Sequence, residues 1–132
     1  MTITVAWDNA EQTIILFGFN GLWNFDELFQ ATGVAHGMIE AQGQQNPVAS
    51  ILNIGTNNYT TGNVMAFMKR GITRKHERTK VVVVVTPSRF FEILLNTLLR
   101  VYPPVGKMYS QANTLDEGRE LALKRLAELP TD

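Results

Sequence analysis

The stretch KVVVVVTPS, Lys80–Ser88, decides the fold of this 132-residue chain. Its five consecutive valines, Val81–Val85, are β-branched and leave no polar face, so they predict a strand that is covered on both faces near the centre of a sheet. The segment Thr86-Pro87-Ser88 then begins a helix, because proline suits the first helical turn. A buried strand followed at once by a helix is typical of α/β proteins, in which helices cover both faces of the sheet.

Patterns on either side of the valine strand repeat the alternation of strand and helix. The predicted strands are Thr2–Trp7, Thr13–Phe19, Val48–Ile54, Val81–Val85 and Lys107–Tyr109. The predicted helices begin at a capping box, Asn24–Glu27, near Gly62, at Thr86-Pro87-Ser88, and at a second capping box, Thr114–Glu117. The order β-β-α-β-α-β-α-β-α predicts one α/β domain over residues 1–132. We expect a mixed sheet of about five strands, with an antiparallel N-terminal hairpin, parallel βα units and four helices.

The composition excludes several classes of protein. The chain has no cysteine, so a thiol nucleophile, a disulfide and a cysteine-ligated metal are excluded. The first residues alternate apolar with polar and lack a basic leader, which predicts a strand and not a signal peptide. No window has the apolar length that a membrane span needs. A soluble, cytoplasmic protein is therefore expected.

Two stretches carry a resemblance to a known family. Arg70–Leu98 has a basic helix end, an apolar strand closing on Thr-Pro and an apolar helix, and Val105–Leu123 has a short strand before a helix that opens with Asp-Glu. The chain thus resembles the STAS domain, the fold of bacterial anti-sigma-factor antagonists. It is most similar to the stand-alone SpoIIAA-like family, which is distantly akin in fold to CRAL-TRIO lipid-transfer domains. The resemblance implies a non-enzymatic regulatory or binding module of STAS/SpoIIAA-like fold.

The loop after the third predicted strand is the first candidate site. In phospho-regulated STAS domains this loop reads Asp-Ser-Ser/x-Gly, and the matching residues here are Tyr59, Thr60, Thr61 and Gly62. The resemblance implies Thr60 or Thr61 as a phosphoacceptor, although Tyr59 replaces the acid. Alternatively, a threonine caps the next helix, with Asn58 as a turn residue. In either case the helix N-terminus would attract an anion.

A basic cluster lies just before the valine strand. It comprises Lys69, Arg70, Arg74, Lys75, Arg78 and Lys80, six bases in twelve residues. Bases at a helix end complement the helix dipole, which is one explanation. The other is an anionic partner: a phospholipid headgroup at a membrane surface, a nucleotide or an acidic protein. We expect no nucleic acid, because the chain lacks a basic pI and an aromatic-studded binding strand.

The helix after the valine strand is apolar beyond a single stripe. The residues predicted to form an apolar groove or interface are Phe90, Phe91, Leu94, Leu98 and Tyr102. Such a helix is buried on several sides, meets a partner or covers a ligand. We therefore expect a homodimer, or an apolar groove that takes the tail of an amphiphile while the basic cluster holds an anionic head.

The sequence contains no recognisable catalytic motif. His36 and His76 are forty residues apart and have no neighbouring ligands at metal-binding spacing, so each is interpreted as a surface or packed histidine. No nucleophile elbow or phosphate-binding glycine loop is present. No enzymatic activity, cofactor or metal is expected. The sequence predicts a module that binds a partner protein or a small apolar or amphiphilic, lipid-like ligand. The alternative is a phospho-regulated, anti-sigma-factor-antagonist-type switch that uses Thr60 or Thr61.

Overall fold

The computed structural model describes residues 3–21, 23–55, 76–87, 89–101 and 103–130. In chain order its elements are β1 (Ile3–Trp7), β2 (Ile14–Phe19), α1 (Phe25–Gln42), β3 (Val48–Asn53), β4 (Thr79–Val85), α2 (Arg89–Val101), α3 (Pro103–Met108), β5 (Tyr109–Ala112) and α4 (Leu115–Ala127). The helix predicted to begin near Gly62 lies outside the described residues. None of the described helices combines the length and the apolarity that crossing a membrane requires.

The five strands form one sheet in the order β1-β2-β3-β4-β5. β1 and β2 pair antiparallel as a hairpin, and every later pair is parallel. The predicted fold class, a mixed five-stranded α/β sheet with an N-terminal hairpin, is confirmed. Because β4 lies between β3 and β5, the valine strand is interior to the sheet.

The valine strand is covered on both faces, as predicted. Val82 and Val84 belong to a core that also contains buried residues of α1, and Leu95 of α2 packs against it. Val81, Val83 and Val85 belong to a second core on the opposite face, where α4 packs. Alternate side chains of one continuous apolar strand therefore serve two cores, because successive side chains of a strand point to opposite faces.

Both predicted capping boxes start helices. The side chain of Asn24 accepts a hydrogen bond from the backbone N–H of Glu27 at 2.9 Å, and α1 ends at Gly43 in the left-handed region with a φ of 74°. Thr114 Oγ1 likewise accepts from the N–H of Glu117 at 3.2 Å. These side chains satisfy amides that have no partner within the helix, and glycine adopts the left-handed C-cap without strain.

The prediction for the last strand was wrong in its bounds. Lys107–Tyr109 was expected to be that strand, but Lys107 and Met108 end the short helix α3, and β5 runs from Tyr109 to Ala112. The prolines at positions 103 and 104 explain the shift. They were expected only to stop the preceding helix, yet proline is also well accommodated in a first helical turn, so they begin α3.

Candidate functional site

A cavity of about 70 Å³ lies between α1 and the sheet. Its described lining is Phe17, Leu28, Phe29, Thr32, Ala35, His36, Ile39, Ser50, Leu52, His76, Thr79, Val82, Met108 and Tyr109. Most of these side chains are apolar, and no Asp, Glu, Lys or Arg is among them. The cavity is therefore an apolar space with a few polar groups in its wall.

Local geometry brings the polar groups into this wall. Ser50 shares a sheet face with Leu52, two residues on in β3. Thr79 reaches the same face because the β3–β4 register shifts by one residue, so that Thr79 pairs with Val48 while Val81 pairs with Ala49. In an uninterrupted strand Thr79 would share the face of Val81 and point away from the cavity.

The two histidines of the chain meet at the cavity. The rings of His36, on α1, and His76, just before β4, have centroids 5.7 Å apart and an interplanar angle of 77°. His76 Nε2 lies 2.5 Å from Glu40 Oε1, and the backbone N–H of Arg78 donates to His76 Nδ1 at 3.1 Å. Because Nδ1 accepts a hydrogen bond, the imidazole proton is assigned to Nε2, facing the carboxylate.

His36 contributes an unsatisfied nitrogen to the site. Its Nε2 is buried and has no hydrogen-bond partner among the described residues. Burial lowers the pKa of His36, the neighbouring His76 lowers it further, and Glu40 opposes both effects. The imidazole is therefore uncharged at neutral pH, and it has a free donor or acceptor position beside the cavity. The indole nitrogen of Trp23 is also buried without a partner, but Trp23 does not line this cavity.

The hydroxyl groups of the wall are uncharged as well. Tyr109, Ser50 and Thr79 are all buried. Burial raises the pKa of Tyr109 to about 12, so its hydroxyl stays protonated at physiological pH. No three of the described His, Asp and Glu side chains are placed to hold a metal ion. The described wall thus presents hydroxyl and imidazole groups and no Asp, Glu, Lys or Arg side chain.

Arg78 has an internal role that differs from the predicted one. It was assigned to an anion-binding surface patch, but the residue is only 7% exposed. Its guanidinium donates to the carbonyl of Asn46 at 2.8 Å, the carbonyl of Ile39 at 3.2 Å and the side chain of Gln42 at 2.7 Å. It therefore complements the C-terminal end of α1, whose last turn contains no base. From the sequence, Arg78 was expected at the end of the helix predicted to begin near Gly62. In the structure its guanidinium lies at the end of α1.

Most other predicted site residues lie outside the described part of the chain. They are Asn58, Thr60, Thr61 and Gly62 of the loop, Lys69, Arg70, Arg74 and Lys75 of the basic patch, and Tyr102 of the apolar groove. The remaining groove positions, Phe90, Phe91, Leu94 and Leu98, fall within α2, where their side chains are not described. The loop, patch and groove sites stay predictions.

The cavity itself was not predicted from the sequence. Its polar wall combines α1, β3, β4, β5 and the turn before β4, and no short motif links them. The one available signal was the presence of two histidines, yet nothing in a spacing of forty residues indicates contact between their rings.

Comparison with known proteins supports the fold. No protein-family model matches the chain, and no curated protein matches it significantly. The chain is similar in structure to an uncharacterized protein of the DUF3478 family with a SpoIIAA-like fold from Shewanella loihica PV-4. The TM-score is 0.63 at 12% sequence identity, over 91% of this chain and 93% of the other. The chain is thus an α/β protein with a cavity between a helix and its sheet. More particularly, its fold is SpoIIAA-like, as the resemblance implied.

Proposed function

We propose that this chain is a non-enzymatic binding module whose cavity between α1 and the sheet takes a small apolar or amphiphilic ligand. The observation that carries the proposal is the lining of that cavity, which is mostly apolar and includes a few polar groups, His36 among them. Small-molecule sites generally have this character: a concave apolar wall with a small number of placed polar groups.

The volume limits what the cavity takes without rearrangement. About 70 Å³ is roughly half of the ~150 Å³ of an engineered cavity that binds benzene, and several times the ~10–15 Å³ that one water needs. A ligand would therefore insert only a few carbon atoms. At roughly 0.8 kcal/mol per buried methylene, four such groups release about 3 kcal/mol. Affinities for minimal ligands should accordingly be near the millimolar range, which corresponds to about 4 kcal/mol.

Regulation by phosphorylation and homodimerisation remain predictions from the sequence. The phospho-switch depends on Thr60 or Thr61, which lie outside the described residues. Dimerisation depends on α2, where the described side chains of Ile93, Leu99 and Val101 are exposed. Exposed apolar side chains on one helix are compatible with a partner, but they do not specify which one.

Native mass spectrometry of freshly purified protein, together with binding of xenon followed by NMR, tests the proposal. Xenon is a suitable probe because apolar protein cavities bind it. We expect xenon pressure to shift amide signals around Leu28, Leu52 and Val82, which line the cavity. A bound small molecule in the native spectrum would identify the physiological ligand class.

Two variants on α1 form a matched pair for this test. Ala35→Leu fills the cavity and should abolish the xenon shifts and any bound mass, whereas Val34→Leu changes an exposed neighbour and should preserve both. Wild-type protein that is folded, carries no ligand and shows no xenon shift at the cavity would contradict the proposed function. Xenon-induced shifts that persist unchanged in Ala35→Leu would show that xenon binds outside the cavity, and they would also contradict the proposed function.

A further inference from the structure

The charge of the cavity wall limits the chemical class of the ligand. The described lining contains no Asp, Glu, Lys or Arg, and burial favours the uncharged form of His36 by lowering its pKa. Arg78, next to Thr79 of the lining, has its guanidinium directed to the end of α1 and to Asn46. An anionic group in the cavity would therefore lose hydration without gaining a described cation.

The acidic neighbour of the cavity opposes an anion further. Glu40 contacts His76 at the wall, and its carboxylate is near enough to act on the ionisation of His36. A ligand carboxylate beside His36 would approach that like charge. The basic cluster in the sequence suggested an amphiphile with an anionic head. The described cavity wall instead favours a neutral molecule.

The unsatisfied nitrogen selects the polar group that the ligand carries. His36 Nε2 is buried without a partner, and a neutral imidazole has one donor and one acceptor nitrogen. A hydroxyl group both donates and accepts, so it pairs with either tautomer, and the hydroxyls of Ser50 and Thr79 line the same cavity. Pairing a buried polar group recovers the free energy lost when that group is left without a hydrogen bond.

We infer that the cavity takes a small neutral molecule with an apolar body and a hydroxyl group that hydrogen-bonds to His36 Nε2. The inference rests on the proposed binding function and specifies its ligand class. The described wall disfavours a lipid-like anion, because none of its described residues supplies a cation to that group. We expect an alcohol to bind more tightly than an alkane, because its hydroxyl gains a hydrogen bond in the cavity. We expect a carboxylate to bind more weakly than the alcohol, because it loses its hydration without gaining a described cation.

The experiment compares an alcohol and a carboxylate with the same carbon skeleton. Isobutanol and isobutyrate are titrated at pH 7.5 against ¹⁵N-labelled protein, with xenon as the apolar reference. We expect isobutanol to shift the imidazole nitrogen signals of His36 and the amides around the cavity. Isobutyrate should require at least about tenfold higher concentration, a difference that corresponds to about 1.4 kcal/mol.

Variants separate the hydrogen bond from the cavity. His36→Leu removes the nitrogen and should weaken isobutanol binding about tenfold while preserving the response to xenon, whereas Val34→Leu, at an exposed site on the same helix, should preserve both. If His36→Leu fails to fold, the wild-type imidazole signals still decide the matter.

Several results would overturn the inference. Isobutyrate binding as tightly as isobutanol would contradict a neutral ligand. Unchanged isobutanol affinity in folded His36→Leu, or wild-type imidazole signals that do not respond to isobutanol, would contradict the hydrogen bond. In those cases a response to xenon would leave the proposed function standing. No response to xenon or to either titrant would remove the proposed function together with the inference.

Discussion

The guanidinium of Arg119 makes a bidentate ion pair with the carboxylate of Asp8, 111 residues earlier in the chain. Its Nε donates to Oδ2 at 2.9 Å and Nη2 donates to Oδ1 at 3.0 Å. Hydrogen bonding to Asp8 raises the pKa of Arg119, so the guanidinium stays charged. Because Asp8 follows β1 and Arg119 lies on α4, the pair fixes the C-terminal helix to the N-terminal hairpin.

Replacing the arginine should destabilise the protein measurably. In Arg119→Met the carboxylate of Asp8, only 8% exposed, would lose both donors. Arg119 itself is 42% exposed, so solvent screening reduces the loss below that of a buried pair. We expect the free energy of unfolding in urea to fall by about 1–2 kcal/mol. Asp116→Asn removes the negative charge from the longer, exposed contact of Arg119 at 3.4 Å and serves as the control, with a change below about 0.5 kcal/mol. Equal losses in the two variants would contradict this account.

Arg78→Met should strongly destabilise the protein, because Arg78 is buried and hydrogen-bonded at the end of α1. The substitution leaves the carbonyls of Ile39 and Asn46 without their charged donor at the end of α1. Hydrogen bonds to charged groups contribute about 1.5–3 kcal/mol each, so we expect a loss of at least about 3 kcal/mol in urea unfolding. Lys80→Met is the matched control, because Lys80 is an exposed base two residues further on, and its loss should stay within about 0.5 kcal/mol. A loss below about 1 kcal/mol for Arg78→Met would mean that its hydrogen bonds contribute little.

The fold was predictable from the sequence because its signals are local. Five valines in a row specify a strand buried on both faces whatever follows them, and the caps at Asn24 and Thr114 act within three residues of the chain. Each of these depends on neighbouring side chains alone, so one sequence suffices to find them. The last strand was misplaced for a related reason: prolines at positions 103 and 104 end a helix and begin one equally well.

The cavity and its polar wall were not predictable, because they depend on residues distant in sequence. His36 and His76 meet only when α1 packs on the sheet, and Thr79 faces the cavity only because of a one-residue register shift. Arg78 shows the same limit. Its position in the sequence indicated a base at a helix end. Which helix it caps depends on the packing of α1 beside the segment that precedes β4.

Gly118 should tolerate no side chain, unlike the glycines of α1. A Cβ at Gly118 would lie 2.7 Å from Cγ2 of Val85, where α4 packs against the sheet. Gly118→Ala should therefore cost about 1–3 kcal/mol of overpacking, despite the ~1 kcal/mol that alanine gains over glycine within a helix. Thermal unfolding would show a lower Tm, and the additional change Val85→Ala should recover part of the loss specific to Gly118→Ala.

Gly37→Ala provides the contrasting control for this close approach. No atom lies within 4 Å of a Cβ built at Gly37, so helix propensity alone should act and stabilise the protein by about 0.5–1 kcal/mol. If Gly118→Ala also stabilised the protein, α4 would have to lie further from β4 than the structure places it.

His36 should make the protein less stable as the solution becomes acidic. Its folded-state pKa is lowered from 6.5, first by burial and then by His76, against the opposing charge of Glu40. Above pH 6.5 the imidazole is uncharged in both states and its ionisation contributes nothing. Between 6.5 and the lower folded pKa the unfolded chain binds more protons, so the free energy of unfolding falls as the pH falls. Below the folded pKa both states are protonated, and this loss is complete.

Urea unfolding from pH 7.5 downward, in wild type and His36→Gln, isolates this contribution. The carboxylates titrate in both proteins, so the difference between the two curves reports His36, and we expect the wild type to lose more stability than the variant below about pH 6.5. The chain contains two histidines, so the imidazole signal missing from the variant's NMR spectrum assigns His36 directly. An assigned His36 signal that titrates at or above 6.5 would show that neither burial nor His76 controls its ionisation, and it would leave the cavity with a charged wall at mildly acidic pH.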